Sequence, residues 1–138
     1  MKFVYDKSKS QSIINHENVM LETFSKIIGS YSSLFEQYDC SLEVSLFWID
    51  FSTEQRSDRR LPFNIGYSCY VYCEVQRDGK EVRVKSMDGE ADYYSLSAAW
   101  MVSAIEKNFF KTKVSLYSDT DDAENDIKDL FRLLSDSQ

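Results

Sequence analysis

The side chains that most often bind metals or act in nucleophilic catalysis are scarce in this chain. His16 is the only histidine, and Cys40, Cys69 and Cys73 are the only cysteines. A structural zinc site needs about four Cys or His ligands, and a nucleophilic Ser or Cys needs a neighbouring base. His16 alone would have to supply both. The sequence therefore predicts no metal site, no catalytic triad and no cofactor.

Carboxylates are abundant, and the densest run lies between Asp119 and Asp126. Their oxygens are ligands that calcium prefers, but an EF-hand loop needs an acid or amide at its fifth position and a glycine at its sixth. Counted from Asp119, those positions hold Ala123 and Glu124. We therefore expect this run to begin a helix, with Asp121 and Glu124 arranged as a capping box.

Carboxylates also lie beside tyrosines in two clusters, a composition typical of charge-steered protein interfaces. Residues 88–138 contain 11 acidic and 5 basic residues, whereas residues 1–87 contain 12 and 11. Such a charge would repel nucleic acid and anionic lipid and attract a basic protein. The predicted partner-binding residues are Asp88, Glu90, Asp92, Tyr93 and Tyr94 in one cluster, and Tyr117, Asp119, Asp121 and Asp122 in the other.

The leading hypothesis is a small acidic, non-enzymatic binding protein, monomeric or homodimeric. It would act as a bacterial inhibitor or immunity protein that neutralises a basic partner such as a nuclease toxin, because nuclease sites are lined with Lys and Arg. It would contact neither nucleic acid nor membrane directly.

Two other functions remain open. In size and acidity the chain is similar to small acidic chaperones of secreted bacterial effectors, which implies a dimer that binds an extended segment. The element order is also similar to the opening part of acetyl-CoA-dependent N-acetyltransferases, which implies an enzyme with dispersed carboxylates. The phosphate-binding loop of that class would lie at residues 85–92, where one glycine, Gly89, stands among three acids that would repel phosphate.

Length and composition indicate one folded domain over residues 1–138. A hydrophobic content of 43% and an aromatic content of 14% argue against disorder despite the net charge of −7. No apolar run approaches the length of a membrane span, and the first residues lack the apolar region of a signal peptide. Cys69 and Cys73 would lie too far apart along one strand to form a disulfide. We expect a cytoplasmic protein with reduced cysteines.

The elements that must position these side chains are organised around a β-hairpin over residues 62–87. Residues 63–75 alternate between an apolar and a polar face, and Asp78-Gly79 suits a tight type I′ turn. That turn predicts a register that pairs Arg77 with Lys80, Val75 with Val82, Glu74 with Arg83, Cys73 with Val84 and Tyr72 with Lys85.

The remaining patterns complete an α+β fold, with an antiparallel meander of four or five strands and three helices in the order (β)αβββαβα. The five-turn helix could pack on the core or form a dimer seam. Before the hairpin, the predicted segments are an optional edge strand at 2–5, a loop at 6–15, a helix with apolar residues from Met20 to Tyr38, a strand at 41–51 and a polar connection at 52–61. After the hairpin, a helix is predicted to begin after Ser95 or Ser97 and to include Ala98, Met101, Val102, Ile105 and Phe109. A strand at 110–117 follows, and then a last helix with Ile127, Leu130, Phe131 and Leu134 inward.

Overall fold

A computed structural model of the chain describes residues 7–50, 55–56, 63–85, 93–109 and 111–137. It has an antiparallel sheet and three helices, so the predicted α+β class is confirmed. The predicted edge strand at 2–5 lies outside the described residues. The helices are α1 (Lys7–Gly29), α2 (Ser32–Glu36) and α3 (Ala123–Asp136). The strands are β1 (Ser41–Asp50), β2 (Gln55–Arg56), β3 (Tyr67–Arg77), β4 (Lys80–Glu81), β5 (Arg83–Lys85), β6 (Tyr93–Ser95), β7 (Ser97–Asn108) and β8 (Lys111–Leu116).

The strands form two sheets. The larger sheet has the order β2-β1-β3-β7-β8, with β4 paired to β3, and the smaller sheet pairs β5 with β6. The ladders β1–β2, β3–β4, β5–β6 and β7–β8 are antiparallel. This arrangement confirms the predicted strands at 41–51 and 110–117 and adds the short β2 inside the predicted polar connection.

The chain divides into two compact units, each drawn from three stretches of sequence. The first unit contains residues 1–22, 46–71 and 100–118, and the second contains residues 23–45, 72–99 and 119–138. Helix α1 and strands β1, β3 and β7 each contribute residues to both units. A single domain over residues 1–138 stays a prediction.

The hairpin turn between β3 and β4 is confirmed. Asp78 and Gly79 have φ angles of 54° and 75°, as a type I′ turn requires. The ladder pairs Arg77 with Lys80 and continues to Val82, whose N–H donates to the Val75 carbonyl oxygen at 3.0 Å.

Beyond Val82 the predicted register is wrong, because the backbone of Leu96 occupies the next position. The Val75 N–H donates to the Leu96 carbonyl oxygen, and the Leu96 N–H donates to the Val82 carbonyl oxygen, both at 2.9 Å. Strand β5 therefore pairs with β6 instead of β3. The expected pairs Cys73–Val84, Glu74–Arg83 and Tyr72–Lys85 do not form.

Glu74 and Arg83, which the predicted register would pair with each other, have other partners. Glu74 accepts hydrogen bonds from Tyr72 Oη at 2.8 Å and from Gln76 Nε2 at 3.0 Å, both on its own strand. Arg83 instead contacts Glu81, with Nε at 2.7 Å and Nη2 at 2.5 Å from Oε1. Side chains two residues apart along an extended chain lie on the same side, which allows these local pairs to replace the cross-strand ones.

The predicted helix after Ser95 is also wrong, since residues 97–108 form the longest strand, β7. Four consecutive residues from Val102 to Ile105 are fully buried, so this part of β7 is covered on both faces. A strand buried on both sides is apolar at nearly every position, and such a run also satisfies helical spacing. Periodicity alone could not separate the two structures.

Helix α1 begins at Lys7, where the sequence predicts a loop over residues 6–15. Its buried side chains are spaced by three or four residues, but Glu17 interrupts their apolar character. The predicted helix over 20–38 is split, because α1 ends at Gly29 and Ser32 begins α2. The buried side chains of α1 are Ile13, Glu17, Met20, Phe24 and Ile28. They are covered by other residues of the same chain, as expected for core packing.

Each unit has its own buried side chains. In the second unit the ring of Phe131 on α3 packs edge-on against Phe35 of α2, at 5.6 Å between centroids. The guanidinium of Arg77 donates to the Tyr38 carbonyl oxygen at 2.9 and 3.1 Å, which ties β3 to the end of α2. Of the predicted inward residues of α3, Ile127, Leu130 and Leu134 are buried, and Phe131 is half-buried.

The two faces of β3 make a stability prediction. Val75 is fully buried, so Val75→Asp would place a carboxylate among apolar groups and should reduce the free energy of unfolding by several kcal/mol. Glu74→Ala removes only two partly buried hydrogen bonds and should cost about 1 kcal/mol. Denaturant unfolding of both variants measures the difference, and equal losses would contradict the face assignment.

Candidate functional site

The acidic turn, residues 119–122, precedes α3 and presents its carboxylates to solvent. Asp119, Asp121 and Asp122 are all exposed. The Asp119 carboxylate accepts the Asp121 backbone N–H at 2.8 Å, which shapes the turn. Asp122 is the N-cap of α3 and makes no capping hydrogen bond with its side chain, so the capping box predicted for Asp121 and Glu124 is wrong. These carboxylates are therefore held near the positive end of the helix dipole while their oxygens remain accessible.

The tyrosine pair, Tyr93 and Tyr94, lies on β6 and is exposed to 63% and 40%. In the β5–β6 ladder Tyr93 is opposite Lys85 and Tyr94 is opposite Val84. Adjacent residues of a strand point to opposite faces, so each tyrosine covers a different side of this small sheet. The predicted site residues Asp88, Glu90 and Asp92 lie outside the described residues.

A groove of about 240 Å³ adjoins the tyrosine pair at the end of α3. Val84 and Leu133 supply its apolar wall, and Lys85 and Asp136 supply charged groups. Ladder partners share a face of a sheet, so Tyr94 lies on the face of Val84 and Tyr93 lies on the opposite face with Lys85. The groove can accept an apolar side chain of a partner, and the exposed Tyr94 ring lies on the same face as Val84.

Tyr117 belongs to the first unit, while the acidic turn and the tyrosine pair belong to the second. The Tyr117 ring is 40% exposed, and its backbone is fixed by hydrogen bonds on both sides. The Tyr117 N–H donates to the Val102 carbonyl oxygen at 3.0 Å, and His16 Nε2 lies 2.9 Å from the Tyr117 carbonyl oxygen. The chain's single histidine thus holds a backbone carbonyl at the end of β8.

The two units differ in net charge. The second unit contains 16 acidic and 7 basic residues, and the first contains 7 and 9. The second unit therefore carries a net charge of −9 and the first a net charge of +2. The excess of negative charge lies wholly in the unit that holds the acidic turn and the tyrosine pair.

A buried carboxylate that sequence reasoning missed lies in the first unit. Glu17 is fully buried, and its Oε2 accepts a short hydrogen bond from Tyr67 Oη and another from Ser103 Oγ at 2.9 Å. Burial and the Glu17 carboxylate raise the pKa of Tyr67, so the phenol remains a donor. The signal in the sequence was the position of Glu17, three residues before Met20 and four after Ile13, inside the apolar stripe of α1.

The three cysteines are free and buried, as the sequence predicts. Burial, assisted by the carboxylates of Glu43 and Glu74, raises the pKa of Cys73 to about 12. Its thiol is therefore protonated at neutral pH. Within the part of the chain that the structure describes, no three His, Cys, Asp or Glu side chains lie close enough to hold a metal ion. None of the described helices is long and apolar enough to cross a bilayer.

The Glu17 cluster predicts a specific pH dependence. Tyr67→Phe removes a donor from a buried carboxylate and should lower the free energy of unfolding by about 1–3 kcal/mol at neutral pH. Because the native pKa of Tyr67 exceeds its unfolded value near 10, the stability from this group is complete below about pH 10 and declines above it. Unfolding measured from pH 8 to 11 should show a shallower alkaline decline in the variant. An identical decline in both proteins would contradict the assignment.

Burial of the thiols predicts their inertness. An aromatic disulfide reagent at pH 8 should modify none of the three cysteines in the native protein and all three after denaturation, because only an accessible thiolate reacts. Mass spectrometry of the modified chain measures the count, and rapid labelling of Cys73 in the native state would contradict its burial.

Compared with known proteins, the chain matches no family model, no curated protein and no solved structure. Its function is therefore inferred from its own charges, exposed rings and grooves.

Proposed function

We propose that this protein is a non-enzymatic binding protein whose second unit binds a basic protein partner. The observation that carries the proposal is the separation of charge, with a net charge of −9 in the second unit and +2 in the first. A field of one sign over one part of a molecule raises the association rate of an oppositely charged partner. An inhibitor or immunity protein that neutralises a nuclease toxin fits this requirement, since a phosphate-binding cleft is basic.

The acidic turn supports this proposal because the carboxylates of Asp121 and Asp122 are accessible to a partner. Both residues are exposed, and the side chain of Asp122, the N-cap residue, accepts no capping hydrogen bond. Exposed charges of this kind act mainly on the rate of encounter and on specificity. Salt screens them over about 8–10 Å at physiological ionic strength, so their effect should depend on salt.

The tyrosine pair and the adjoining groove would supply the short-range contacts that charge alone does not. Tyrosine is enriched among residues that dominate binding energy, because its ring buries a large area and its hydroxyl can still hydrogen-bond. Tyr94 exposes such area on the face that holds Val84 of the groove, and Tyr93 exposes it on the opposite face of the small sheet. The partner would thus present basic residues around an apolar side chain.

The three thiols are buried and form no disulfide, which favours action in a reducing compartment such as the cytoplasm. The alternative of an enzyme with dispersed carboxylates would need several acids around one cleft. Among the described residues that line the groove at the end of α3, Asp136 alone carries a carboxylate, which favours the binding function. The chaperone alternative requires a stable dimer bound to an extended segment.

The proposal predicts that single charge reversals in the acidic turn slow association. The immobilised full chain would first capture a basic protein from its native host, and binding kinetics with that protein would follow at low and high salt. Asp121→Lys and Asp122→Lys should each reduce the association rate about threefold at low salt, with little change in the dissociation rate. High salt should remove the difference.

The matched control is Glu106→Lys, which changes the net charge by the same amount at an exposed position of the first unit. This substitution should alter the association rate by less than about 1.5-fold, because Glu106 belongs to the first unit and the proposed binding surface belongs to the second. Thermal unfolding of all three variants verifies their folding. If Glu106→Lys slowed association as much as the other two substitutions, recognition by the second unit would be refuted. The same would follow if the association rate changed neither with salt nor with any of the three substitutions.

A further inference from the structure

Strand β8 is an open edge of the larger sheet. It ends the strand order, so within the described residues no strand pairs with its outer side. The ladder to β7 pairs Ser103 with Leu116 and Ala104 with Ser115, and the Tyr117 N–H donates to the Val102 carbonyl oxygen. Hydrogen-bonded and non-bonded pairs alternate along an antiparallel ladder. The backbone groups of Thr112, Val114 and Leu116 therefore point away from β7.

Exposed apolar side chains lie beside this edge. Val114 and Leu116 line a groove of about 270 Å³ with Lys9, Ser12 and Ile13 of α1. Leu116 is 45% exposed, and the rings of Tyr117 and Phe109 at the two ends of the strand are 40% and 87% exposed. Exposed apolar side chains beside free backbone donors and acceptors are the features that favour addition of another strand.

We propose that β8 pairs antiparallel with β8 of a second copy of this chain, about a two-fold axis at Val114. This register places Val114 opposite its own copy and Thr112 opposite Leu116, with their outward backbone groups hydrogen-bonded across the axis. Lys113 then lies opposite Ser115, and Lys111 lies opposite Tyr117. A continuous sheet would run through both copies.

The charge pattern and the length of β8 together select this register. A centre at Thr112 would place Lys111 opposite Lys113, and a centre at Lys113 would place that lysine opposite its own copy. Centres at Ser115 and Leu116 would pair half or more of β8 with residues beyond its end. The Val114 centre instead puts each lysine opposite a neutral residue, and Lys111 can lie over the Tyr117 ring. Edge lysines usually discourage strand pairing, but here they disfavour the shifted register and permit this one. The first unit, which contains β8, carries a net charge of only +2.

The test begins with the mass of the full chain in solution over a range of concentrations. The wild type should approach twice its monomer mass of 16.1 kDa at high concentration. Ser115→Lys creates two like-charge pairs with Lys113 of the other copy, and Ser115→Glu creates two opposite-charge pairs at the same positions. The dimer dissociation constant should rise about fivefold in the first variant and fall about fivefold in the second.

Cross-linking tests the axis itself. Val114→Cys would face its own copy across a hydrogen-bonded pair, at a Cα distance of about 5.5 Å that a disulfide can span. Lys113→Cys would face Ser115 instead and lie too far from its own copy. Mild oxidation should therefore yield a covalent dimer of the first variant and little of the second, while the three native cysteines remain buried. Circular dichroism of each variant verifies its fold.

Three results would overturn the proposal. The chain could remain monomeric at millimolar concentration. Both substitutions at Ser115 could change the dissociation constant in the same direction, or Lys113→Cys could cross-link as readily as Val114→Cys. Self-association that appears only after removal of residues 1–6 would assign the edge to that segment and would equally refute pairing in the full chain.

Discussion

The backbone of Leu96 joins strands that lie far apart in the sequence, and the rest of the architecture depends on this junction. Its N–H and C=O are both used, one by Val82 and the other by Val75, and its side chain is fully buried. Backbone donors and acceptors that leave water must find partners inside the protein. By satisfying these two valines, Leu96 ends the hairpin after Val82 and gives β7 its place beside β3.

That junction also determines which side chains are displayed. Since β5 cannot continue along β3, it pairs with β6, and this ladder exposes Tyr94 and Tyr93 opposite two residues of the groove at the end of α3, Val84 and Lys85. In the other direction along the chain, β7 continues to Ser103, whose hydroxyl reaches the buried Glu17. A carboxylate without such donors would be costly to bury, so the hydroxyls of Tyr67 and Ser103 fix the rotation of α1 in the first unit.

The parts of the fold that the sequence predicts well are those with one dominant local signal. The Asp78-Gly79 turn requires positive φ angles, and the apolar residues of α3 recur at helical spacing, so both are found where expected. Strand β7 was mistaken for a helix because burial on both faces erases the alternation that marks a strand. The start of α1 was missed because Glu17 breaks the apolar stripe, and only tertiary partners explain its burial. In the candidate site, Tyr93, Asp121 and Asp122 are exposed, as a partner-binding role requires, and their role stays a prediction. The pairing of β5 with β6 instead of β3 has no local signal in the sequence.

The Glu17 cluster has a consequence for the order of folding events. Its hydrogen bonds join residues 50 and 86 positions apart, and the His16 contact with Tyr117 spans 101. Contacts of such separation close large loops and slow the formation of a native state, whereas the β3–β4 turn closes over two residues. Glu17 can form both of its hydrogen bonds only once β3 and β7 have brought the hydroxyls of Tyr67 and Ser103 together. Its carboxylate would then be among the last groups to leave water, and the arrival of these two distant partners would limit the rate at which the first unit is completed.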